Sequence, residues 1–258
     1  MQKAAPPWGD YDERVRRPAE SPVPPRPLKD RMYQANAPSV SQRIVLAAAA
    51  GTWLLLAWWL LAAGGLAALQ QGLGWTLRSG DHLRRIGLAV AFTVYYIRIL
   101  FTEFVFLRRR VPWSEALTIA VWLLFLFLFL GLEAATNPAP LGIAATFGAL
   151  CFVCGSWMNT YAEYARHVWK QQPQHRGQLY TEGLFRYSRH PNYLGDLISF
   201  SGLCLLSGRW ATAFIPVLML CGFVFANIPM LDAHLHDHYG EAFDAYAART
   251  SKLIPFLY

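Results

Sequence analysis

The sequence predicts an all-α, polytopic integral membrane protein with about six to seven transmembrane helices. Hydrophobic residues make up 55% of the 258 residues and charged residues only 15%, and the mean hydropathy is positive. The apolar residues are gathered in six runs, and several reach the roughly 20 residues that an α-helix needs to cross the hydrocarbon of a bilayer. Length, composition and run spacing therefore all favour a helical bundle in a membrane.

The positive charge is explained by the same fold. The net charge is +7, and lysine and arginine collect on the cytoplasmic side of membrane spans. A nucleic-acid-binding protein would cluster its basic residues on one soluble surface, whereas here they are spread over short loops. We therefore expect membrane lipids as partners and no nucleic acid.

Residues 1–44 are polar and rich in proline. Such a composition is typical of a flexible segment, and no apolar core resembling a signal peptide is present. We predict a cytoplasmic tail here, followed by a single transmembrane helical domain over residues 45–258.

Six apolar runs follow the tail. They cover roughly residues 44–69, 86–107, 116–135, 141–161, 193–207 and 211–230. Four are long enough to span a bilayer, the fifth is short, and the sixth contains Pro216. The fifth can still span if its first turn belongs to a polar face at the membrane boundary.

The basic residues also predict the orientation. Eighteen lysines and arginines fall on the side of the N-terminal tail and four on the other, with Arg98 inside a span. This asymmetry predicts both termini in the cytoplasm, in the inner membrane if the protein is bacterial.

The four cysteines all lie inside apolar runs, at positions 151, 154, 204 and 221. Cys151 and Cys154 form a C-x-x-C motif, but no second pair accompanies it. Cysteines in a span commonly act as small apolar residues. We expect no disulfide and no metal.

The densest polar stretch is residues 183–196, which lead directly into the fifth run. Pro191 restricts His190 to extended geometry and cannot donate a backbone hydrogen bond, so we expect a helix to start just after it. On that helix Asn192 and Asp196 are four residues apart and share a face. Polar groups at the mouth of a span are costly to bury unless a ligand or partner satisfies them. We interpret this stretch as the site, on the cytoplasmic side.

A second polar face lies at the end of the fourth run. Asn159, Glu163 and Arg166 fall at i, i+4 and i+7, and Lys170 continues the face one turn later. One interpretation is a solvated helix end with a Glu163–Arg166 ion pair. The other, which the nearby stretch favours, is one wall of a cofactor site in which basic residues meet phosphates.

The second run is unusual because it contains Tyr96, Arg98 and Glu103. A charge within a span costs a few kcal/mol, so Arg98 and Glu103 should face the protein interior or each other. Either an ion pair locks two helices, or this helix lines a substrate cavity and offers a tyrosine as proton donor.

Histidines 234, 236 and 238 follow the sixth run. Residues two apart lie about 200° apart on a helix, so only His234 and His238 share a face. Two ligands without a third are weak evidence for zinc. The chain closes on an apolar segment, residues 252–258, that we expect to pack back under the site.

Three features together resemble the steroid 5-alpha-reductase and sterol-reductase superfamily, most closely its less characterised bacterial branch. They are the Arg-His-Pro-Asn-Tyr-Leu-Gly-Asp core at 189–196, the Asn159-x-x-x-Glu163 pattern, and the Ile-Pro-Phe-Leu-Tyr ending. The resemblance covers residues 159–258 well. It implies that the half from about residue 140 to 258 binds NADPH, which reduces a carbon-carbon double bond in a steroid, sterol or isoprenoid-like substrate from the bilayer, in lipid metabolism.

The resemblance also assigns residues. It implies that Tyr96 polarises the substrate carbonyl and supplies the proton, and the charges inside the span, Arg98 and Glu103, are the candidates to assist it as catalytic residues. It implies a cofactor site made by Asn159, Glu163, Tyr180, Tyr187, Asn192, Asp196, Asn227, Asp232, His236 and Tyr239. The two polar stretches add Arg166, Lys170, His190 and Tyr193 as predicted cofactor-binding residues. The first run departs from the steroid 5-alpha-reductases, because it lacks their Gln-Glu pair.

A competing resemblance is to the isoprenylcysteine carboxyl methyltransferases and phospholipid methyltransferases. They share the Arg-His-Pro-x-Tyr-x-Gly core but use S-adenosylmethionine, and they usually carry paired glutamates after the last span. This chain has Asn-Ile-Pro-Met-Leu-Asp at 227–232 instead. The reductase is therefore the first expectation, the methyltransferase the alternative, and a non-catalytic membrane scaffold the third.

Overall fold

The computed structural model describes residues 39–74, 76–107 and 109–258, so most of the proposed tail lies outside the described residues. The prediction of an all-α polytopic membrane protein is confirmed. Within the described ranges no β-strand occurs, only an isolated parallel bridge between Ser188 and Ser251.

The helices begin and end close to the apolar runs. They are α1 Val40–Ala62, α2 Gly65–Leu73, α3 His82–Phe101, α4 Trp113–Ala135, α5 Ile143–Gln171, α6 Pro191–Ser207, α7 Phe214–Gly222, α8 Ile228–Tyr239 and α9 Glu241–Ala247. A π-helical turn, Thr102–Phe106, extends α3, and another, Phe223–Asn227, joins α7 to α8.

Five helical segments of the described chain are long and apolar enough to cross a membrane. They are Val40–Ala62, His82–Phe106, Trp113–Ala135, Ile143–Gln171 and Trp210–Tyr239. Helix α6 has 17 residues, which is at the short end of what spans the hydrocarbon. Its mostly buried side chains place it inside the bundle.

Local chemistry fixes the ends of the helices that carry the site. The carboxylate of Asp81 caps α3 by accepting a hydrogen bond from Arg84 N at 2.9 Å. Helix α6 starts at Pro191, within one residue of the expected start, because proline has no N–H that would be left without an acceptor in the first turn. It ends at Ser207 and is followed by Gly208, whose φ of 73° favours glycine.

Helices α5 and α6 make the most extensive helix contact of the described chain. Four glycines, at 148, 155, 195 and 202, line the seam at seven-residue intervals on each helix. A Cβ at Gly195 would stand 2.7 Å from Asn159 N and Gly155 O. Small residues let membrane helices approach closely, so this seam brings the polar ends of α5 and α6 together.

Gly195→Ala should therefore destabilise the protein by about 1 to 3 kcal/mol, because the added methyl group overpacks the seam. Gly222→Ala is the matched control, since nothing lies within 4 Å of a Cβ there and alanine favours a helix over glycine. Thermal unfolding of the detergent-purified variants checks both. A melting temperature of Gly195→Ala equal to that of Gly222→Ala would contradict the close seam.

Candidate functional site

The structure joins the two polar faces that the sequence places on separate stretches. Asn159 Nδ2 donates to the backbone oxygen of Asn192 at 2.9 Å. Asn192 Nδ2 donates to Glu163 Oε1, also at 2.9 Å. Glu163 Oε2 accepts from Arg166 Nη2 at 2.7 Å. These four residues form one hydrogen-bonded chain from α6 to α5, so the Glu163–Arg166 pair exists and belongs to this chain.

A buried ion pair ties α3 to the same end of α6. Arg98 Nη2 lies 2.6 Å from Asp196 Oδ1. The Arg98 side chain is 8% exposed, and its guanidinium carbon lies 4.5 Å from the centre of the Tyr95 ring. Its second nitrogen, Nη1, has no hydrogen-bond partner among the described residues. The pair therefore retains one buried donor.

The three proposed catalytic residues do not meet. Tyr96 donates to the backbone oxygen of Ala47 on α1 at 3.3 Å. Glu103 is buried in the π-helical turn, where its backbone oxygen accepts from Arg43 and its Oε2 has no partner in the described chain. Tyr96 and Arg98 point to different sides of α3, because residues two apart on a helix lie about 200° apart.

Tyr95 stands beside Arg98 instead of Tyr96. It was missed by the sequence reasoning, although its spacing of three residues from Arg98 places both on one helical face. Arg98 does form an ion pair, as one of the two interpretations expected. Its partner is Asp196 on α6 and not Glu103.

A second carboxylate, Asp232 on α8, binds the motif from the other side. Its two oxygens lie 3.0 Å from Arg189 Nη1 and 2.9 Å from His190 Nε2. The His190 ring stacks on Tyr193 with centroids 5.3 Å apart, and Tyr193 stacks on Phe223 at 4.7 Å. These contacts fix the turn that precedes α6.

The C-terminal segment packs against the same turn. Ser188 Oγ donates to the oxygen of Leu253 at 2.7 Å, and Arg189 N donates to the oxygen of Ser251 at 2.8 Å. The expected return of the chain end under the site is thus seen in these backbone contacts.

Of the remaining proposed cofactor-binding residues, only some contact one another. Lys170 Nζ donates to Tyr239 OH at 2.8 Å, so those two meet. Tyr180 packs on Trp169 with centroids 5.2 Å apart, and burial raises the pKa of its phenol.

The other three lie further out. Tyr187 is half exposed with its ring 6.5 Å from that of Phe256, and Asn227 lies in the second π-helical turn. His236 pairs with Asp244 at 2.9 Å, where both side chains are more than half exposed. His236 therefore faces solvent next to α9.

A polar pocket of about 340 Å³, here called the basic pocket, lies beside the motif. Thr181, Arg186, Tyr246, Arg249 and Thr250 line it. The Tyr246 hydroxyl donates to the oxygen of Phe185 at 2.6 Å, and burial raises the pKa of this phenol, so it stays a donor at neutral pH. Neither arginine forms a salt bridge within the described residues.

Sequence reasoning missed Arg249 and Thr250. The usable signal was their position just before the apolar ending that was expected to return to the site.

An apolar cavity of about 620 Å³, here called the lateral groove, runs between α3 and α5. Its lining residues are Gly87, Val90, Ala91, Val94, Arg98, Leu141, Ala145, Thr146, Ala149, Phe152, Val153, Ser156, Trp157, Thr160 and Leu206. From Gly87 to Arg98 the groove extends for about 16 Å of helix. Arg98, the ion-pair partner of Asp196, lines its polar end.

No group of three histidine, cysteine, aspartate or glutamate residues able to hold a metal occurs in the described part of the chain. Comparison with known proteins then places the chain in a family. Residues 102–250, more than half of the sequence, match a family model described as "Protein of unknown function (DUF1295)". The chain belongs to the DUF1295 family.

Named relatives of this DUF1295 chain are enzymes of two kinds. "Probable O-methyltransferase ustE" of Ustilaginoidea virens is 35% identical over 105 residues, which is 40% of this chain and 35% of that protein. Protein-S-isoprenylcysteine O-methyltransferase of Schizosaccharomyces pombe is 26% identical over 115 residues, 42% and 49% of the two chains. Human 3-oxo-5-alpha-steroid 4-dehydrogenase 2 is 26% identical over 116 residues, 45% and 44%.

The matched stretch spans less than half the length of each of these relatives. Because both kinds match, the predicted relation of the DUF1295 chain to the steroid 5-alpha-reductases and the isoprenylcysteine methyltransferases is confirmed. Its distant relatives include both reductases and methyltransferases, and the Schizosaccharomyces pombe methyltransferase and the human reductase are equally identical to it, at 26%.

Proposed function

We propose that the protein is a membrane-embedded reductase that uses NADPH to saturate a carbon-carbon double bond in a hydrophobic substrate. The observation that carries this choice is the basic pocket beside the motif. Two arginines without carboxylate partners in the described chain and two threonine hydroxyls line it. This donor set suits phosphate groups, because guanidinium forks bind their oxygens in pairs.

The donor set separates the two cofactors that the relatives imply. NADPH carries three phosphate groups, whereas S-adenosylmethionine carries none and gives such a pocket nothing to bind. Arg186, Arg249 and Thr250 would hold phosphates, with Lys170 as a further cation. The hydrogen-bonded chain of Asn159, Asn192 and Glu163 would bind the nicotinamide end, whose amide is both a donor and an acceptor.

Bound NADPH supplies a hydride. The protein's own residues would orient the double bond, exclude water and stabilise the charge that develops on the substrate. Arg98 would stabilise a substrate oxygen through Nη1, and its ion pair with Asp196 would hold the guanidinium in position. Tyr95 replaces Tyr96 as the candidate proton donor, because Tyr95 contacts Arg98 and Tyr96 contacts α1.

The experiment is thermal unfolding of the purified protein with NADPH and with S-adenosylmethionine in separate titrations. A ligand that binds only the folded state, present at 100 times its dissociation constant, raises the free energy of unfolding by about 2.7 kcal/mol. We expect stabilisation by NADPH and none by S-adenosylmethionine. The reverse result would overturn the proposal.

Variants connect that result to the pocket. The double variant Arg186→Gln/Arg249→Gln should weaken the binding of NADPH at least about tenfold, because it removes the hydrogen bonds between the charged guanidinium groups and the phosphates. Arg209→Gln is the matched control, since Arg209 does not line the basic pocket and pairs with Glu133 near the end of α4 at 3.5 Å. Unchanged NADPH affinity in the double variant would show that the phosphates lie elsewhere.

A methyltransferase dependent on S-adenosylmethionine, of the isoprenylcysteine carboxyl or phospholipid type, is the second candidate. It is favoured by the 35% identical stretch shared with a protein named as a probable O-methyltransferase. Stabilisation by S-adenosylmethionine in the same titration would select it.

A further inference from the structure

We infer that the lateral groove between α3 and α5 binds one molecule of an uncharged single-chain lipid, with an oxygen of its head group accepting a hydrogen bond from Arg98 Nη1. The inference deepens the proposed function and rests on it for the reaction, though not for the binding. Neither the family match nor the relatives assign this groove.

The shape of the groove selects a slender apolar body. Its floor is made of small side chains on both helices, among them Ala91 and Ala145, which are 5% and 3% exposed. Its rim is made of Val90, Val94, Val153 and Trp157, which are about half exposed on the outside of the bundle. A cavity of about 620 Å³ holds one small molecule of drug size.

The open rim sets the route. In a membrane-spanning domain the outer surface of α3 and α5 faces the hydrocarbon, so an apolar chain reaches the groove sideways without crossing water. Because the rim is apolar like the surrounding hydrocarbon, a lipid chain moves from one apolar environment to another, and the free-energy cost of its entry is small.

The polar end of the groove selects the head group. Arg98 is more than nine-tenths buried and lines the groove, and its Nη1 has no partner among the described residues. A buried donor left without a partner is destabilising, because it has lost its hydrogen bonds to water and gained none in return. An acceptor oxygen on the ligand would satisfy it, while Ser156 and Thr160 add hydroxyl groups to the same end of the lining.

The charges around Arg98 select an uncharged oxygen. Asp196 already neutralises Arg98 at 2.6 Å, and Glu163 is neutralised by Arg166 at 2.7 Å. A carboxylate head would add a net negative charge between two acidic residues in a site with little water, which is costly. A ketone or aldehyde oxygen, or an ester carbonyl, accepts the hydrogen bond without that charge.

The test uses a photoreactive probe, a 2-tetradecanone analogue with a diazirine in its chain, on the full chain in lipid nanodiscs without NADPH. We expect labelling of groove residues on α3 and α5 that unlabelled 2-tetradecanone suppresses better than tetradecanoate or tetradecane does. Ala149→Trp fills the groove and should reduce labelling at least about tenfold. Ala144→Trp is the matched control, because Ala144 is exposed on α5 outside the lining.

Arg98→Lys tests the anchor while keeping a cation for Asp196. About ten times more 2-tetradecanone should then be needed to suppress the labelling, which is the factor for losing one hydrogen bond to a charged group. The suppression of labelling by tetradecane should not change. Labelling spread over the whole lipid-facing surface, or unchanged in Ala149→Trp, would overturn the groove. Equal or better competition by tetradecanoate would overturn the uncharged head.

The outcome is separate from that of the cofactor titration. Groove labelling with no stabilisation by NADPH would retain the lipid site and reject the reductase. Stabilisation by NADPH with no groove labelling would retain the reductase and place its substrate elsewhere.

Discussion

Asp196→Ala is expected to lower the free energy of unfolding by about 3 to 5 kcal/mol, because it leaves Arg98 as an uncompensated charge inside the bundle. Arg98 is 8% exposed, and its 2.6 Å contact with Asp196 is the salt bridge it makes within the described chain. A loss of this size is a large part of the stability of a typical domain. Denaturant titration of the purified protein, followed by tryptophan fluorescence, measures it.

The double variant Arg98→Met/Asp196→Leu distinguishes charge burial from packing. Replacing a buried ion pair by apolar residues of similar volume is often neutral or stabilising, so the double variant should recover most of the lost stability. It should not recover the preference of the lateral groove for 2-tetradecanone, which needs Arg98 Nη1. An Asp196→Ala variant as stable as the parent protein would contradict the buried pair.

The parts of the site that depend on local helix geometry could be predicted from the sequence. Pro191 fixed the start of α6, and the i, i+4 and i+7 spacing placed Asn159, Glu163 and Arg166 on one face of α5. The structure then joined that face to Asn192. These inferences needed only the period of the helix and the polarity of the residues.

The parts that depend on which helices meet could not be predicted in the same way. Arg98 finds its partner 98 residues away on α6, and Asp232 reaches back 42 residues to His190. Tyr96 was assigned from the family resemblance, and the sequence alone does not show which face of α3 meets α6. The seven-residue spacing of the glycines on α5 and α6 was a usable signal for that contact.

The basic pocket shows the same limit. Arg186 lies in the central motif, but Arg249 and Thr250 come to it only because the chain end returns and bonds to Ser188 and Arg189. His236, by contrast, was assigned from a resemblance, and it pairs with Asp244 at the surface.

Two aspartates near the chain end offer the second test with a large expected effect. Asp232→Ala should lower the free energy of unfolding by about 3 to 5 kcal/mol, because both Arg189, 8% exposed, and His190, 1% exposed, lose their acceptor. Since these contacts fix the turn before α6, the variant should also lose stabilisation by NADPH. Denaturant titration with and without NADPH measures both effects.

Asp244→Ala is the matched control, because it too removes a carboxylate 2.9 Å from a histidine nitrogen. There the His236 and Asp244 side chains are 55% and 59% exposed, and exposed ion pairs contribute about 0 to 1 kcal/mol. We expect its unfolding midpoint and its response to NADPH to match the parent protein. If the two variants lost the same stability, Asp232 would not be the buried acceptor of the motif, and the turn before α6 would depend on the Ser188 and Ser251 contacts instead.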